Sequence, residues 1–479
     1  MNYRMISYVL GWILVFEAAF MAVPLITAAV FAEGSSAVWF AICAGICLAI
    51  GGLLTLVKKP QNKRLFSREG FVIVALSWIA LSVFGALPFF LSGAIPNFID
   101  ALFETVSGFT TTGASILTDV EALPKSMLMW RSFTHWVGGM GVLVFVMAFL
   151  PLSGGQNMHI MKAESPGPSV SKLVPRVKTT ALLLYSIYFV LTLIEFVMLL
   201  FGGMTGFEAL NTAFATAGTG GFGVYNSSIG NFSPYIQVVV TVFMLLFSVN
   251  FTSYFFLINR KFREAFNTEV IVFFIIVTIA ITILTLDNRA LYPETGDSLR
   301  NSAFTVASLI STTGFSTVDF NAWSELSRTI LVIIMFIGAC AGSTGGGIKV
   351  SRIIILFKSL GKELKVMVHP KQIKKIKIGS HPIEHETVRS VSVFMIAYIV
   401  VFVISLVIVS FDNHDLITNF TAVTASINNI GPGLELVGPT ANFSFFSVPS
   451  KIVLIFDMLA GRLELFPMLI LFTPSTWKK

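Results

Sequence analysis

The sequence predicts an all-α polytopic membrane protein, and three observations lead to this fold class. Hydrophobic residues make up 55% of the 479 residues and charged residues only 12%, with a mean hydropathy of +0.83. This composition excludes an ordinary soluble domain of this length. Apolar runs of about 20 residues, the length that crosses a bilayer as a helix, recur along the chain. A short segment rich in threonine and glycine lies between such runs four times.

Ten apolar runs are predicted to span the membrane. The first two stand apart from the threonine-rich segments, and the other eight form four pairs, each enclosing one segment. The predicted architecture is four span–pore loop–span repeats around a pseudo-fourfold pore, plus two extra N-terminal helices. The predicted spans are Ser7–Phe31, Ser36–Val57, Phe71–Leu91, Ser126–Leu150, Thr180–Phe201, Pro234–Ile258, Glu269–Leu286, Arg328–Phe357, Ser390–Ser410 and Ser450–Phe472.

The repeats also predict how the chain is divided. Residues 1–69 would hold the two leading helices and a basic inner loop, 70–178 the first pore repeat, 179–267 the second, 268–387 the third with a glycine-rich gating loop, and 388–479 the fourth. The three cysteines, which are Cys43, Cys47 and Cys340, all lie in apolar runs. Neither a disulfide framework nor a zinc site is therefore expected, and no cofactor is expected in this chain.

The repeated segment is the most informative part of the sequence. Its four copies are FETVSGFTTTGAS (Phe103–Ser115), LNTAFATAGTGGFG (Leu210–Gly223), AFTVASLISTTGFS (Ala303–Ser316) and FTAVTASINNIGPG (Phe420–Gly433). Aligning Gly113, Gly221, Gly314 and Gly431 gives intervals of 108, 93 and 117 residues. Such irregular spacing of a shared pattern indicates an old fourfold duplication.

Each copy is too short to cross a bilayer, so its backbone must be buried in protein or line a water-filled cavity. Carbonyl groups that line a cavity can replace the water around a cation, as they do in selectivity filters. A helix before each loop would direct the negative end of its dipole to the same place. A single copy is more simply a turn or a small-residue contact. Four copies in matching contexts favour one ring around a cation path.

Positive charge in the connecting loops predicts the orientation, because cytoplasmic loops carry an excess of lysine and arginine. The basic loops are Lys58–Glu69, Lys162–Lys178, Asn259–Asn267 and Lys358–Arg389. Both termini are therefore predicted in the cytoplasm, with the four pore segments entering from outside. The net charge of +7 lies on these loops beside anionic lipid and does not indicate nucleic acid. The loop Lys358–Arg389 is either a solvated topology determinant or a docking surface for a cytosolic partner.

Four strings connect the chain to a known family. They are HWVGGMG (His135–Gly141), GACAGSTGGGIK (Gly338–Lys349), NNIGPG (Asn428–Gly433) and GRLE (Gly461–Glu464). With these strings in this order, the chain resembles the TrkH/KtrB family of potassium-uptake proteins, and its two leading helices resemble the Trk branch. The resemblance implies a location in the inner membrane of a bacterial cell and one potassium pathway per subunit. It also implies a homodimer and a cytosolic TrkA/KtrA-like regulatory ring that binds NAD or ATP/ADP. GSTGGGIK itself is not a Walker A motif.

The resemblance also implies which residues carry the filter carbonyls and bind potassium. Because the second and fourth loops lack a TTG string, their alignment with the other two loops is defined only to within one residue. The implied residues are Thr111, Thr112 and Gly113; Thr219, Gly220 and Gly221; Thr312, Thr313 and Gly314; and Asn429, Ile430 and Gly431.

Arg462 lies in the last apolar run, where a charge is costly and marks a functional site by default. Pairing with Glu464 or Asp457 is one interpretation. The favoured partner is the glycine-rich break Gly342–Gly347, whose freed carbonyls need donors. The predicted gate below the filter consists of Gly342, Gly345, Gly346, Gly347, Lys349 and Arg462.

Three further polar residues flank the first pore loop. Arg131 and His135 are expected on its inner side, as proton-relay groups or, as we favour, in packing or a hydrogen-bonded role. Glu104 is expected to add negative charge to the outer mouth.

The leading function is potassium uptake through this filter, as a gated channel or as a symporter coupled to protons or sodium. The alternative is a secondary transporter of another cation or small solute that uses broken helices. An enzyme is not expected, because no nucleophile is grouped with His and Asp and no H-E-x-x-H occurs.

Overall fold

The computed structural model describes residues 1–57, 66–141, 177–370, 376–378 and 381–477, and these residues are nearly all helical. The leading part contains α1 (Tyr3–Phe20), α2 (Ala22–Val30) and α3 (Gly34–Val57). α1 and α3 approach closely, because a Cβ on Gly11 would lie 2.8 Å from the carbonyl oxygen of Gly51. Small residues at such crossings let two helix backbones pack together.

Each of the four units contains a long helix, a short pore helix and a second helix. The first unit has α4 (Ser67–Leu91), α5 (Phe98–Phe109) and α6 (Lys125–Gly139). The second has α7 (Val177–Phe201), α8 (Gly206–Gly218), α9 (Pro234–Phe247), α10 (Phe251–Ile258) and α11 (Phe262–Ala265).

The third and fourth units follow the same order. The third has α12 (Thr268–Asp287), α13 (Thr295–Ile310), α14 (Glu325–Ile337) and α15 (Val350–Val368), then strands β1 (Lys377–Ile378) and β2 (His381–Pro382), which pair antiparallel. The fourth has α16 (His385–Val409), α17 (Leu416–Ile427), α18 (Val448–Arg462), α19 (Phe466–Leu471) and α20 (Pro474–Trp477). Short 3₁₀ turns occupy Asn288–Leu291, Phe320–Ala322, Ser410–Asp412 and Glu435–Val437.

The pore helices α5, α8, α13 and α17 are 12 to 16 residues long. At 1.5 Å per residue they reach about 18–24 Å, which is less than the ~30 Å hydrocarbon core. Side chains of Asn97, Thr205 and Asp415 cap three of them at the N-terminus. Each pore helix is therefore too short to cross the membrane.

Among the described residues, six helices are long and apolar enough to cross a membrane, and α9 with α10 forms a seventh candidate bent by 92°. Of the ten predicted spans, the part of Ser126–Leu150 beyond residue 141 lies outside the described residues. Four others are interrupted, of which Ser7–Phe31 is divided only by the single residue Met21 between α1 and α2 and three have longer breaks. The third-unit break was expected, but those at residues 248–250 and 463–465 were not.

The second-unit break has a clear physical cause. The carbonyl oxygen of Ser248 accepts from the N–H of Cys340 at 3.1 Å, and the N–H of Phe251 donates to the carbonyl oxygen of Gly342 at 3.1 Å. The side chain of Asn250 caps α10 by accepting from the N–H of Thr252 at 2.9 Å. Backbone groups freed by the bend are thus satisfied by the third unit, as burial in a membrane requires.

Candidate functional site

The four pore helices end in the same turn. In the first, the N–H of Thr112 donates to the carbonyl oxygen of Ser107 at 2.9 Å and the N–H of Thr111 to that of Gly108 at 3.1 Å, which is a Schellman motif. The residue at the position of Thr111 is left-handed in every loop. These residues are Thr111 (φ 55°), Thr219 (57°), Thr312 (62°) and Asn429 (54°). The repeated turn aligns the second and fourth loops with the others without an offset.

Two residues later each loop has a glycine at positive φ, between 75° and 98°, and these are Gly113, Gly221, Gly314 and Gly431. A Cβ on Gly113 would lie 2.0 Å from the carbonyl oxygen of Gly220 in the next loop. The same contact recurs from Gly221 to Thr313 at 2.0 Å, from Gly314 to Ile430 at 2.2 Å and from Gly431 back to Thr112 at 2.8 Å. The loops therefore follow one another around a closed ring in which any side chain at these glycines would strike a backbone oxygen.

This ring brings together all twelve of the residues that were implied for the filter. A cavity of about 140 Å³ lies against it and is lined by all four ring glycines. The cavity is also lined by residues that follow the ring glycines along the chain, including Ala114, Ser115, Phe222, Gly223, Ser316 and Pro432. We call this cavity the mouth.

A buried ion pair borders the mouth. Arg131 Nε donates to Glu104 Oε1 at 2.8 Å, and their side chains are only 2% and 0% exposed. Glu104 also accepts from Ser115 Oγ at 3.0 Å and from the N–H of Ile116 at 3.0 Å. The expectation that Glu104 adds negative charge to the outer mouth is wrong, because its carboxylate is buried and its charge is paired with Arg131. Arg131 itself lines the mouth, so its predicted place on the inner side is also wrong.

His135 has a hydrogen-bonded role between two units. Its Nδ1 lies 2.7 Å from the carbonyl oxygen of Gly108, and its Nε2 accepts from the N–H of Phe222 at 3.3 Å. A neutral imidazole with its proton on Nδ1 satisfies both contacts. His135 therefore joins the first pore helix to the loop of the second unit, as the favoured interpretation expected.

Asn226 joins a loop of the second unit to a loop of the first unit, in the segments that follow their ring glycines. Its side chain donates to Asp119 Oδ1 at 2.8 Å and accepts from the N–H of Val120 at 2.8 Å. The hydrogen bond from Asn226 lowers the pKa of Asp119 below its ordinary value. These contacts fix the positions of two loops that line the mouth relative to each other.

On the opposite side of the ring lies the segment between α14 and α15, Gly338–Lys349, which we call the intramembrane loop. The N–H of Gly346 donates to Thr312 Oγ1 at 2.6 Å, and the N–H of Gly347 donates to the carbonyl oxygen of Asn428 at 3.0 Å. A Cβ on Gly346 would lie 2.2 Å from that same oxygen. The loop is therefore in direct contact with the third and fourth pore loops.

Arg462 binds this loop, as predicted. Its Nη1 donates to the carbonyl oxygen of Thr344 at 2.7 Å, and its Nη2 donates to the carbonyl oxygens of Gly138 and Gly139 at 2.6 and 2.7 Å. The alternative partners are engaged elsewhere, since Asp457 accepts from Ser405 at 2.7 Å and Glu464 pairs with Arg352. Arg462 thus links the end of α6 to the third unit.

The other predicted gate residues lie in the same region. Gly342 contacts the side chain of Asn250, and Gly345 accepts a hydrogen bond from Lys349 Nζ through its carbonyl oxygen. Lys349 is buried beside two charged residues that sequence reasoning missed, Arg352 and Glu269. Their signal in the sequence is a charge at the start of an apolar run for Glu269 and a charge within an apolar run for Arg352.

Comparisons with known proteins were made for the whole chain. The family model described as TrkH, cation transport protein, matches residues 36–479. The Trk system potassium uptake protein TrkH of Escherichia coli K12 is 37% identical over 100% of both chains, and that of Halomonas elongata is 36% identical over 100% of both.

The structural comparison agrees. The crystal structure of the potassium transporter TrkH from Vibrio parahaemolyticus matches with a TM-score of 0.89 and 34% identity, covering 100% of both chains. The family model, the full-length relatives and the solved structure thus all identify the same family of multi-pass membrane proteins. The chain belongs to the TrkH family of cation transport proteins.

Proposed function

We propose that this chain takes up potassium ions across the cytoplasmic membrane of a bacterium through the ring of four pore loops. The observation that carries the proposal is the closed succession of four glycines, each lying against a carbonyl oxygen of the next loop. Relatives that match over their full length are named potassium uptake proteins. The role is transport without catalysis.

The geometry suits a dehydrated cation. Four pore helices end at the ring, and the C-terminal end of a helix carries partial negative charge from its free carbonyls. Carbonyl oxygens in a ring replace the hydration shell of a potassium ion. Glycine at positive φ allows these oxygens to approach one another without a Cβ in the way.

The intramembrane loop is proposed to be the gate. Its backbone lies against the side of the ring that faces away from the mouth, and Arg462 anchors it through the carbonyl oxygen of Thr344. Lys349 and Arg462 add positive charge on this side, which opposes the passage of a cation. Opening would withdraw the loop, because a glycine-rich segment absorbs large changes in φ and ψ.

The remaining proposals concern topology and partners. Basic loops support a topology with both termini in the cytoplasm and the mouth facing outward. The chain is proposed to form a homodimer and to bind a cytosolic TrkA/KtrA-like ring, which would carry the NAD or ATP/ADP site. The inner loop Lys358–Arg389 is the proposed contact with this ring. Of its lysines, Lys371, Lys374 and Lys375 lie outside the described residues.

Uptake of rubidium-86 into proteoliposomes tests this function. We expect unlabelled potassium to compete strongly, sodium weakly, and small organic solutes not at all. Competition by an organic solute or equal competition by sodium would favour the alternative secondary transporter. Uptake driven by voltage alone, with no proton or sodium gradient, would indicate a channel, whereas a strict need for either gradient would indicate a symporter.

A further inference from the structure

Glu269 is the second residue of α12, the long first helix of the third unit, and it is buried. Nothing in the repeated pore segments or the glycine-rich break pointed to it. Its carboxylate lies beside the intramembrane loop, where Lys349, Arg352, Arg462 and Glu464 are further charged groups.

One oxygen of this carboxylate accepts two backbone N–H groups that are ten residues apart in sequence. Glu269 Oε1 accepts from the N–H of Ala341 at 2.7 Å and from the N–H of Ser351 at 3.0 Å. Ser351 is the second residue of α15, so its N–H is one of those that a helix N-terminus leaves free. A carboxylate at that position also interacts favourably with the helix dipole.

The two donors lie on either side of the part of the loop that touches the ion path. Between Ala341 and Ser351 are the carbonyl oxygen that Arg462 binds and the N–H groups of Gly346 and Gly347, which bind the third and fourth pore loops. Glu269 therefore ties both ends of the loop to α12, while Arg462 and Thr312 hold its tip. Backbone bonds also join the two ends directly, from the N–H of Lys349 to the carbonyl oxygen of Ile337 at 3.0 Å and from the N–H of Val350 to that of Ala339 at 3.2 Å. Glu269 adds the link to α12, and the loop leaves the ring more readily once this link is broken.

We propose that Glu269 is a positioning residue that holds the intramembrane loop against the ring by tying both ends of the loop to α12. This inference rests on the proposed gate and names the residue that sets its resting position. Charge offers a competing account, because the carboxylate also offsets the positive charge of Lys349. The two accounts differ in sign. Loss of the tie releases the loop and raises ion flux, whereas loss of negative charge alone strengthens the repulsion of cations and lowers flux.

Rubidium-86 flux into proteoliposomes that contain no soluble partner tests the proposal. For Glu269→Ala we expect flux to rise by about tenfold to hundredfold, which is what one charge-assisted hydrogen bond contributes to an equilibrium. Glu269→Gln keeps one acceptor oxygen without the charge, so its flux should rise less. The ratio of potassium to sodium uptake should stay at the wild-type value in both variants, because the ring is untouched.

Glu69 provides a matched control. It is the third residue of α4, the corresponding helix of the first unit, and accepts the N–H groups of Phe66 at 2.7 Å and Asn2 at 3.2 Å without touching the loop. Glu69→Ala should therefore lose a comparable pair of bonds and leave flux unchanged. A rise as large as that of Glu269→Ala would overturn the proposal.

Other outcomes are equally decisive. Lower flux in both Glu269 variants would assign the carboxylate an electrostatic role and overturn the proposal. If deletion within Gly342–Gly347 raises flux but Glu269→Ala does not, the gate stands and the tie is refuted. If the deletion itself fails to raise flux, gate and tie fail together. If Glu269→Ala does not fold, thiol labelling provides a second test, in a protein that carries Ser343→Cys and has its native cysteines changed to alanine. The labelling rate of this cysteine should be higher with Glu269→Gln than with the native Glu269. Equal rates would refute the tie.

Discussion

The side-chain amide of Asn429 donates to Thr112 Oγ1 at 2.9 Å, which joins the fourth pore loop to the first. The same amide donates to the carbonyl oxygen of Met458 in α18 at 2.8 Å. α18 ends at Arg462, the residue that binds the intramembrane loop. The ring and Arg462, which anchors the loop, are therefore connected through one short helix. Substitutions in the ring test ion selectivity, and substitutions at the anchor or the loop test gating.

We predict that Gly113→Ser or Gly314→Ser lowers the preference for potassium over sodium more than it lowers protein abundance. Each added Cβ would lie 2.0 or 2.2 Å from a carbonyl oxygen of the next loop, so that oxygen must move. A displaced carbonyl coordinates a dehydrated ion less well. Competition of each ion against rubidium uptake measures the ratio.

Gly93→Ser is the matched control for this change. Gly93 also has a positive φ, of 77°, but nothing lies within 4 Å of its absent Cβ. It should therefore show the backbone strain of a left-handed serine without a change in the ion ratio. Unchanged ratios in both ring variants would remove these loops from the filter.

Arg462→Ala, or deletion of part of Gly342–Gly347, should raise ion flux in the absence of a soluble partner and keep the ion ratio. The guanidinium donates to the backbone carbonyl oxygens of Thr344, Gly138 and Gly139 in two other units, and its loss frees the loop. Flux and competition assays on the same proteoliposomes measure both properties.

Arg300→Ala is the control for this loss of an arginine, because Arg300 pairs with Asp297 and Gln237 and not with the loop. Its flux should equal that of the wild type. A loss of flux in well-folded protein for both gate variants would instead assign Arg462 and the loop a packing role.

Local sequence patterns predicted the pore loops, their alignment and the contact between Arg462 and the glycine-rich break. Each of these follows from residues that are close in sequence or from the cost of an unpaired group in a membrane. The break at Ser248 could not be predicted, because its freed backbone groups are satisfied by Cys340 and Gly342, about 90 residues away. The partner of Glu104 was missed for the same reason, since it lies on the next helix.

The ion pair of Arg131 and Glu104 should be costly to break from one side. We expect Arg131→Ala or Glu104→Ala to destabilise the protein by about 3–5 kcal/mol, because each leaves a buried charge without its partner. The double variant should lose less than the sum of the two. Thermal unfolding in detergent, arranged as a double-mutant cycle, gives the coupling.

The exposed pair Lys261 and Glu264 is the control, with atoms 3.9 Å apart and side chains more than half exposed. Its coupling should stay below about 1 kcal/mol. Strict additivity at Arg131 and Glu104 would show that the two side chains contribute independently.

Neutralising Lys371, Lys374, Lys375 and Lys377 to glutamine should weaken co-purification of a TrkA-like ring and reduce the salt sensitivity of that binding. Exposed charges steer association and are screened by salt. Pull-down at increasing salt measures both effects, with Lys125→Gln, at the start of α6, as the control. An unchanged salt profile would leave the loop as a topology determinant alone.

Thr312→Val should raise flux without a partner and leave the ion ratio unchanged. Valine keeps the shape and β-branching of threonine, so the left-handed turn at φ 62° is strained to the same degree. The variant replaces the hydroxyl group, whose oxygen accepts the N–H of Gly346 at 2.6 Å, with a methyl group that accepts no hydrogen bond. A buried N–H without an acceptor costs about 1–3 kcal/mol, which favours conformations in which the loop has left the ring.

Thr111→Val is the matched change in the first unit, where the equivalent threonine has φ 55°. It alters the ring in the same way without removing the acceptor of Gly346, so it separates an effect on the loop from an effect on the filter. We expect flux through Thr312→Val to exceed that through Thr111→Val by about fivefold or more, since 1 kcal/mol corresponds to a factor of about five. Equal flux in the two variants would mean that the bond between the intramembrane loop and the third pore loop does not help to keep the path closed.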